Sequence, residues 1–330
     1  MSSTPDIVPQ LLALDWGTSS LRAFLMHDGQ VIDTRHSAHG IQHLPLPGRA
    51  GFEQAFAAIA GDWVRHWPQL PVVASGMVGS AQGWREAPYV RCPATVKALA
   101  EQNTTVASGL GQEILIAPGV LYDEPGELPD VMRGEEIQIA GALLQNPQWS
   151  ERSCILLPGT HSKWVQIEDG KIVRFATYLT GELFAVLSAH SILGRLLPAA
   201  SEVKGGTDVA AFELGLANAR RSGPGELSHQ LFGTRTLGLT GRLAPAALAD
   251  YLSGLLIGHE LVSGLSGAGN ELAAVPLVMI GEPSLCQRYV RSLEYMDQAV
   301  SAVLDNTAPV GLWNFAGAAR LLARSTPGTE

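Results

Sequence analysis

Apolar residues fall along this chain in short blocks separated by polar, glycine-rich turns, and the first of these blocks sets the pattern. Leu11, Leu12 and Leu14 read as a buried strand, and Leu21, Ala23, Phe24, Leu25 and Met26 as a second. Between them lies the polar turn Asp15-Trp16-Gly17-Thr18-Ser19-Ser20. Asp28-Gly29 then signals a two-residue hairpin into a third strand, Val31 to Arg35. Phe52, Phe56, Ile59 and Trp63 recur at helical spacing and predict a helix from Phe52 to Trp67. Short strands follow at Val72–Ala74 and Glu113–Ala117, and Ile137, Ala140, Gly141 and Leu144 predict a helix over Val131–Gln145.

After a polar break at Pro147–Arg152, the opening pattern returns. Ile155–Leu157 is an apolar run, Pro158-Gly159-Thr160-His161-Ser162-Lys163 a second polar glycine turn, and Trp164–Ile167 another strand. Asp169-Gly170 repeats the hairpin signal before a strand at Lys171–Tyr178. An internal repeat of this kind is far more specific than either copy alone. Helices are expected at Leu183–Leu197, Asp208–Arg220 and Pro245–Leu265. A strand at Val275–Ile280 ends in the turn Gly281-Glu282-Pro283-Ser284 before a helix. A last strand, Ala299–Leu304, precedes a helix capped by Thr307 and running to Arg324.

At 330 residues the chain exceeds the usual size of one core, so two domains are expected. The break after Asn146 places the boundary: residues 1–146 as a first lobe, 147–310 as a second, and 311–330 as a helix returning toward the first. Apolar residues make up 46% and charged residues 16%, which describes an ordinary globular protein. A net charge of -9 argues against a nucleic-acid partner, while a few local cations and backbone donors suffice for a small anion. Cys92, Cys154 and Cys286 match no zinc or disulfide spacing and predict buried thiols. No apolar run is long enough to span a membrane and the first residues lack a signal-peptide pattern, so a soluble cytoplasmic protein is expected. Oligomeric state stays open, a homo-oligomer included.

The chemistry concentrates in the turns. In the first, Gly17 lets a ligand approach the backbone, and the N–H groups and hydroxyls of Gly17, Thr18 and Ser19 suit phosphate oxygens. Asp15 can hold a hydrated Mg2+, which takes one or two carboxylates with water and phosphate. The plain alternative is a polar β-turn capped by an aspartate. The second turn offers the same groups, and two such turns could grip a triphosphate from opposite sides. Gly281, between a strand and a helix, fits either a nucleotide contact or a tight turn. Glu135 and Glu136 fall in the first turn of a helix, where charge complementarity alone would also favour them.

Two hairpin phosphate turns, an intervening helix and a late strand–glycine–helix element resemble the actin, sugar-kinase and Hsp70 superfamily. More closely, DWGTSSLRAFL, ASGMVGSAQGWREAPYVRCPA, VMRGEEIQIAGAL and LLPGTHSKWV resemble the 2-dehydro-3-deoxygalactonokinase family, in order through most of the chain. The resemblance implies a two-lobed actin-like α/β fold, a duplicated ribonuclease H-like unit with a mixed five-stranded sheet in each lobe and a cleft between them. It implies transfer of phosphate from ATP to the 6-hydroxyl of 2-dehydro-3-deoxy-D-galactonate, in galactonate catabolism by the De Ley–Doudoroff route. Asp15, Gly17, Thr18 and Ser19 on one side and Gly159, Thr160, His161 and Ser162 on the other would hold the phosphates, with Asp15 near Mg2+. Lys163 would add charge there or face solvent, and Gly281 would border the adenosine. In glycerol kinase and hexokinase an aspartate before the interdomain helix takes the sugar proton. Here Glu135 takes that place, a departure from aspartate, with Glu136 and Asp130 as neighbours able to replace it. Arg133 or Arg85 would bind the substrate carboxylate, and Gly76, Met77, Gln82, Trp84 and Tyr89 would shape the sugar pocket. Other sugar-acid kinases, a non-catalytic ATP- or sugar-binding relative and a phosphohydrolase of the exopolyphosphatase kind remain alternatives. ADP release that depends on the sugar acid separates them.

Overall fold

The computed structural model describes residues 7–198, 206–268 and 275–322. The chain opens as expected: β1 (Leu11–Trp16), β2 (Leu21–His27) and β3 (Gln30–Ser37) form successive antiparallel pairs, Leu11 opposite Met26 and Leu21 opposite Ser37. Asp28 and Gly29 both take positive φ, 45° and 77°, the backbone that a two-residue hairpin with right-handed twist requires. Helix α1 (Arg49–His66) leads to β4 (Val72–Ser75), which lies parallel to β1. Short elements follow: β5 (Tyr89–Arg91), α2 (Val96–Glu101), β6 (Thr104–Ala107), β7 (Glu113–Ile116), β8 (Gly119–Tyr122) and β9 (Asp130–Met132), then α3 (Glu135–Gln145).

The second half repeats the opening with β10 (Arg152–Leu157), β11 (Ser162–Glu168) and β12 (Lys171–Tyr178). Helices α4 (Thr180–His190), α5 (Val209–Arg220), α6 (Leu227–Leu239) and α7 (Leu248–Ala268) come next. Then follow β13 (Leu277–Ile280), α8 (Pro283–Tyr295), β14 (Ala302–Leu304) and α9 (Ala308–Ala318). Asp169 and Gly170 repeat the positive-φ hairpin at 48° and 70°.

The sheets run β3-β2-β1-β4-β7-β6 and β12-β11-β10-β13-β14. The second sheet has its own third, second, first, fourth and fifth strands in that order, and the first sheet follows the same order with β7, its sixth strand along the chain, in the fifth place; in each, the last two of these are parallel to the first. This is the ribonuclease H-like order, present twice. The first sheet has six strands where five were expected: Thr104–Ala107 adds an antiparallel edge to β7. That strand has one buried side chain, Val106, so its sequence carries no apolar signal. A third sheet, β5-β8-β9, also lay below the reach of periodicity, each strand being three or four residues long.

Two compact units emerge. The first comprises residues 1–152, 166–174 and 306–330, and the second 153–165 and 175–305. In the first, Trp16, Phe52, Phe56 and Trp84 form an aromatic centre with ring centroids 5.5 to 6.1 Å apart, enclosed by Leu12, Leu14, Leu21 and Val72. In the second, Leu156, Trp164, Phe212, Leu261, Met279 and Tyr289 pack around β10, β11 and β13.

Several boundaries differ from expectation. The helix predicted from Val131 starts at Glu135, because Val131 and Met132 pair with β8 and Gly134, at φ 108°, breaks the run. The helix predicted over Leu183–Leu197 starts earlier, at Thr180, and ends at His190. Helix α6 was not anticipated; its apolar residues lie on no single face and only Thr234 is buried. The last helix ends at Ala318 rather than Arg324, a position outside the described residues. Thr307 does not cap it: its hydroxyl donates to the Gln138 carbonyl, and Asn306 receives the Ala308 N–H instead. Cys154 and Cys286 are buried thiols, whereas Cys92 is half-buried.

Candidate active site

In the first unit the ends of β1 and β4 and the start of α3 converge. A Cβ on Gly76 would sit 2.8 Å from the Trp16 carbonyl oxygen, and one on Gly134 would sit 3.3 Å from the Gly76 Cα. Both residues have positive φ, 92° and 108°, so glycine is required twice over, by conformation and by space. The turn after β1 is braced from behind. Gly17 N–H donates to Ser20 O at 2.9 Å, and the carbonyls of Gly17 and Thr18 receive the N–H groups of Ile41 and Gln42 at 3.1 Å. The Gly17 N–H is thus spent inside the turn. Ser19 is exposed, and Gly17 and Thr18 are half-exposed.

Asp15 lies beside this turn and forms an ion pair with Arg22, its partner across the β1–β2 ladder. Burial pushes the Asp15 carboxyl above its ordinary range, and the Arg22 guanidinium opposes that rise. Arg22 was not singled out from the sequence. The signal was the antiparallel register that the hairpin turn fixes, which sets Arg22 opposite Asp15.

At the start of α3 the three candidate carboxylates have different surroundings. Glu136 is 1% exposed, and both its oxygens accept from Gly134 N–H, at 2.9 and 2.7 Å. Burial, then the neighbouring Glu135, push its carboxyl up to about 8. Glu135 is half-exposed, and its Oε2 accepts from the Arg133 N–H at 3.1 Å. Asp130 sits in β9 and accepts from Val131 N–H at 2.7 Å.

The two candidate arginines also separate. Arg85 is exposed. Arg133 is nine-tenths buried, stacks 4.3 Å above the Tyr89 ring and donates from Nη2 to Ala87 O at 2.8 Å. Its Nε and Nη1 are buried with no hydrogen-bond partner among the described residues. Nε and Nη1 together carry three N–H groups, and leaving them unpaired in the interior is costly, so an anion reaching either nitrogen would be favoured.

The residues expected to shape one sugar pocket divide into two groups. Gly76, Tyr89 and Arg133 belong to the convergence just described, with half-buried Met77 following Gly76. Gln82 and Trp84 instead line a cavity of about 430 Å³ with Leu44, Pro47 and Phe52. The Trp84 ring, 9% exposed and stacked on Phe52 at 14° between planes, is largely a core residue.

In the second unit the turn after β10 faces the start of α4. A methyl on Gly181 would lie 2.5 Å from the Gly159 carbonyl oxygen, and Glu182 N–H donates to Thr160 O at 2.9 Å. Thr160 and His161 are exposed, His161 pairing with Glu182. Ser162 and Lys163 turn inward. Ser162 is fully buried with its hydroxyl 2.9 Å from the Tyr289 hydroxyl, and Lys163 is 4% exposed, so it does not face solvent. A cavity of about 400 Å³ adjoins this turn, lined by Gly159, Thr160, Thr180, Phe184, Ser253 and Leu285 among others. Gly281 lies 3.4 Å, measured from a built Cβ, from the Pro158 carbonyl oxygen and lines a separate cavity of about 830 Å³ on the other side of α8.

A ribonuclease H-like strand order present twice, with a glycine turn after the first strand of each copy, matches the actin-like kinase fold that the sequence implied. The sequence profile of the 2-keto-3-deoxy-galactonokinase family matches residues 15–315, and the chain belongs to that family. It is 35% identical over 297 residues to the 2-dehydro-3-deoxygalactonokinase of Escherichia coli (strain K12), covering 90% of this chain and 94% of that protein. It is 34% identical over 306 residues to a candidate enzyme of that activity, DgoK1 of Rhizobium meliloti (strain 1021), covering 91% and 94%. A crystal structure of another candidate, from Sinorhizobium meliloti, superposes with a TM-score of 0.80 at 32% identity, covering 93% of this chain and 98% of that one. Among the described residues no helix is long and apolar enough to cross a membrane.

Proposed function

We propose that this kinase transfers the γ-phosphate of ATP to the 6-hydroxyl of 2-dehydro-3-deoxy-D-galactonate. The observation that carries this reading is Arg133: a buried guanidinium whose Nε and Nη1 have no hydrogen-bond partner among the described residues, next to the glycine that precedes α3 and two residues from Glu135. A sugar acid brings the carboxylate that such a group lacks. Arg133, rather than exposed Arg85, is the carboxylate anchor in this reading.

Glu135 is the base that takes the 6-hydroxyl proton. It is half-exposed beside Gly76 and Gly134, whereas Glu136 is buried on the Gly134 N–H and carries a proton at neutral pH. General-base assistance of this kind is worth about 10² to 10⁴ in rate. The glycine turns serve phosphate binding. In the second, exposed Thr160 and His161 and the backbone donors are the contacts, with Ser162 and Lys163 supporting from inside. The adenosine occupies the cavity of about 400 Å³.

Magnesium fits the donor set as an ion that arrives with ATP. Among the described residues no group of three His, Cys, Asp or Glu could hold it alone, while Asp15 supplies the single carboxylate that Mg2+ needs beside water and phosphate. Bound there, it would neutralise charge on the phosphates. The role of Arg22 is to hold the Asp15 carboxylate in one orientation. The protein reads as cytoplasmic, with a small sugar acid as its partner.

The test is ADP release, coupled to an indicator reaction, across a panel of 2-keto-3-deoxy acids and the matching neutral sugars. Release that depends on the galactonate-derived acid supports the reading. Equal release with water alone would make the protein a phosphohydrolase instead.

A further inference from the structure

The most unusual buried group in the second unit is Glu260, on α7. It is 3% exposed, and its hydrogen bonds come from neutral donors on three other elements. Trp164 Nε1 on β11 donates to Oε1 at 2.9 Å, and Tyr289 on α8 donates to Oε2 at 2.6 Å. Thr180, the first residue of α4, donates to the same Oε2. Tyr289 is in turn 2.9 Å from the Ser162 hydroxyl. With its own proton committed to Glu260, Tyr289 can only accept from Ser162. The proton directions therefore run one way, from Ser162 through Tyr289 to the carboxylate, with Thr180 and Trp164 joining at the end. Burial raises the Glu260 carboxyl, and the hydrogen bonds from Thr180, Tyr289 and Trp164 oppose that rise.

Ser162 closes the second glycine turn, and Thr180 and Tyr289 line the adjoining cavity of about 400 Å³. A hydroxyl whose single proton points inward presents only lone pairs outward. We propose that Glu260 is the positioning residue of the nucleotide site, orienting Thr180, Tyr289 and Ser162 so that the cavity wall accepts hydrogen bonds and the turn keeps one shape. Such a wall suits the donors of ATP, its ribose hydroxyls and base amino group. It leaves the phosphates to backbone N–H groups and exposed Thr160, since no inward-pointing hydroxyl has a proton to offer them. A network with every member paired is rigid, and one with a member removed leaves a buried polar group unsatisfied.

The proposal rests on the reading of this cavity as the ATP site. It is tested with Glu260→Gln and Tyr289→Phe in the full-length enzyme, by calorimetric titration with ADP and by steady-state kinetics. Glutamine places an amide N–H₂ where one carboxylate oxygen stood, so at least one donor loses its acceptor. We expect Glu260→Gln to weaken ADP binding and raise the KM for ATP by about 10-fold, with kcat within about threefold and the KM for the sugar acid unchanged. Tyr289→Phe should move the same two quantities by less, and carries the test alone if Glu260→Gln does not fold. A variant that melts earlier yet binds ADP as tightly as wild type overturns the positioning role. So does one in which both KM values rise together. If wild type itself shows no ADP binding, the reading of the cavity as the ATP site fails, and the proposal with it.

Discussion

Two carboxylates one residue apart illustrate how far identity alone falls short. Glu135 and Glu136 look equivalent in sequence, yet Glu136 turns into the protein and closes on Gly134 N–H while Glu135 stays half-exposed. Glu135→Gln should cut kcat by about 100-fold or more with ADP affinity unchanged, and Glu136→Gln should do far less. Equal losses in single-turnover measurements would reverse the assignment. Arg133→Lys keeps the charge but loses the fork, so the KM for the sugar acid should rise about 10- to 100-fold while that for ATP holds. Arg85→Lys should leave both near wild type. Asp15→Ala should remain folded yet lose about 100-fold or more in turnover, the loss that the proposed phosphate-side role of this carboxylate requires. What the sequence showed at this scale were residues inside local motifs. Arg22, Glu260 and Tyr289 were not legible, because their meaning lies in partners from other elements. Glu260 meets Trp164, 96 residues away, and Thr180, 80 away, and no short pattern marks such a pairing.

Among the elements, the hairpins read most directly. An Asp-Gly pair between apolar runs has one good backbone solution, and both copies adopt it. Short edge strands and helix starts were the weak points, since Gly134 and the β8–β9 pairing override the helical spacing of Val131 and Met132. The contact between α3 and α9 shows what the small residues on the Ile137–Ala140–Gly141 face do. A methyl on Gly141 would collide with the Thr307 carbonyl, and one on Gly311 with that of Ile137, so the two helices touch backbone to backbone. Gly311→Ala should therefore lower stability by about 1 to 3 kcal/mol, read from the denaturant midpoint. It should lower kcat as well, because α3 carries Glu135.

For the molecule as a whole, the repeated strand–turn–strand pattern was enough to foresee two copies of one fold. It was not enough to foresee that the first unit would recruit residues 166–174; the chain's last segment was expected to return to that unit, from 311 rather than 306. Buried charge also sets a global property. Glu136 ionises near pH 4.5 when unfolded and near pH 8 when folded. Between those values the native state holds a proton that the unfolded state has released, so this group's contribution to stability declines as pH rises through that window and levels off above it. Glu136→Gln should flatten that decline. Melting temperatures of wild type and variant, measured from pH 5 to 8.5, would diverge by a few degrees at the alkaline end. Parallel curves would mean the carboxyl is already charged at neutrality.

The hydrogen bond from Thr307 to Gln138 joins positions 169 residues apart, and the backbone contact between Gly141 and Gly311 sits beside it. The helix bearing Glu135 is thus finished only by a segment synthesised long after it. A ribosome that has released the chain up to Thr307, but not Ala308–Ala318, holds an α3 with no partner for its Gly141 face. Shortening the chain before Ala308 would therefore unseat α3 as surely as a substitution within it.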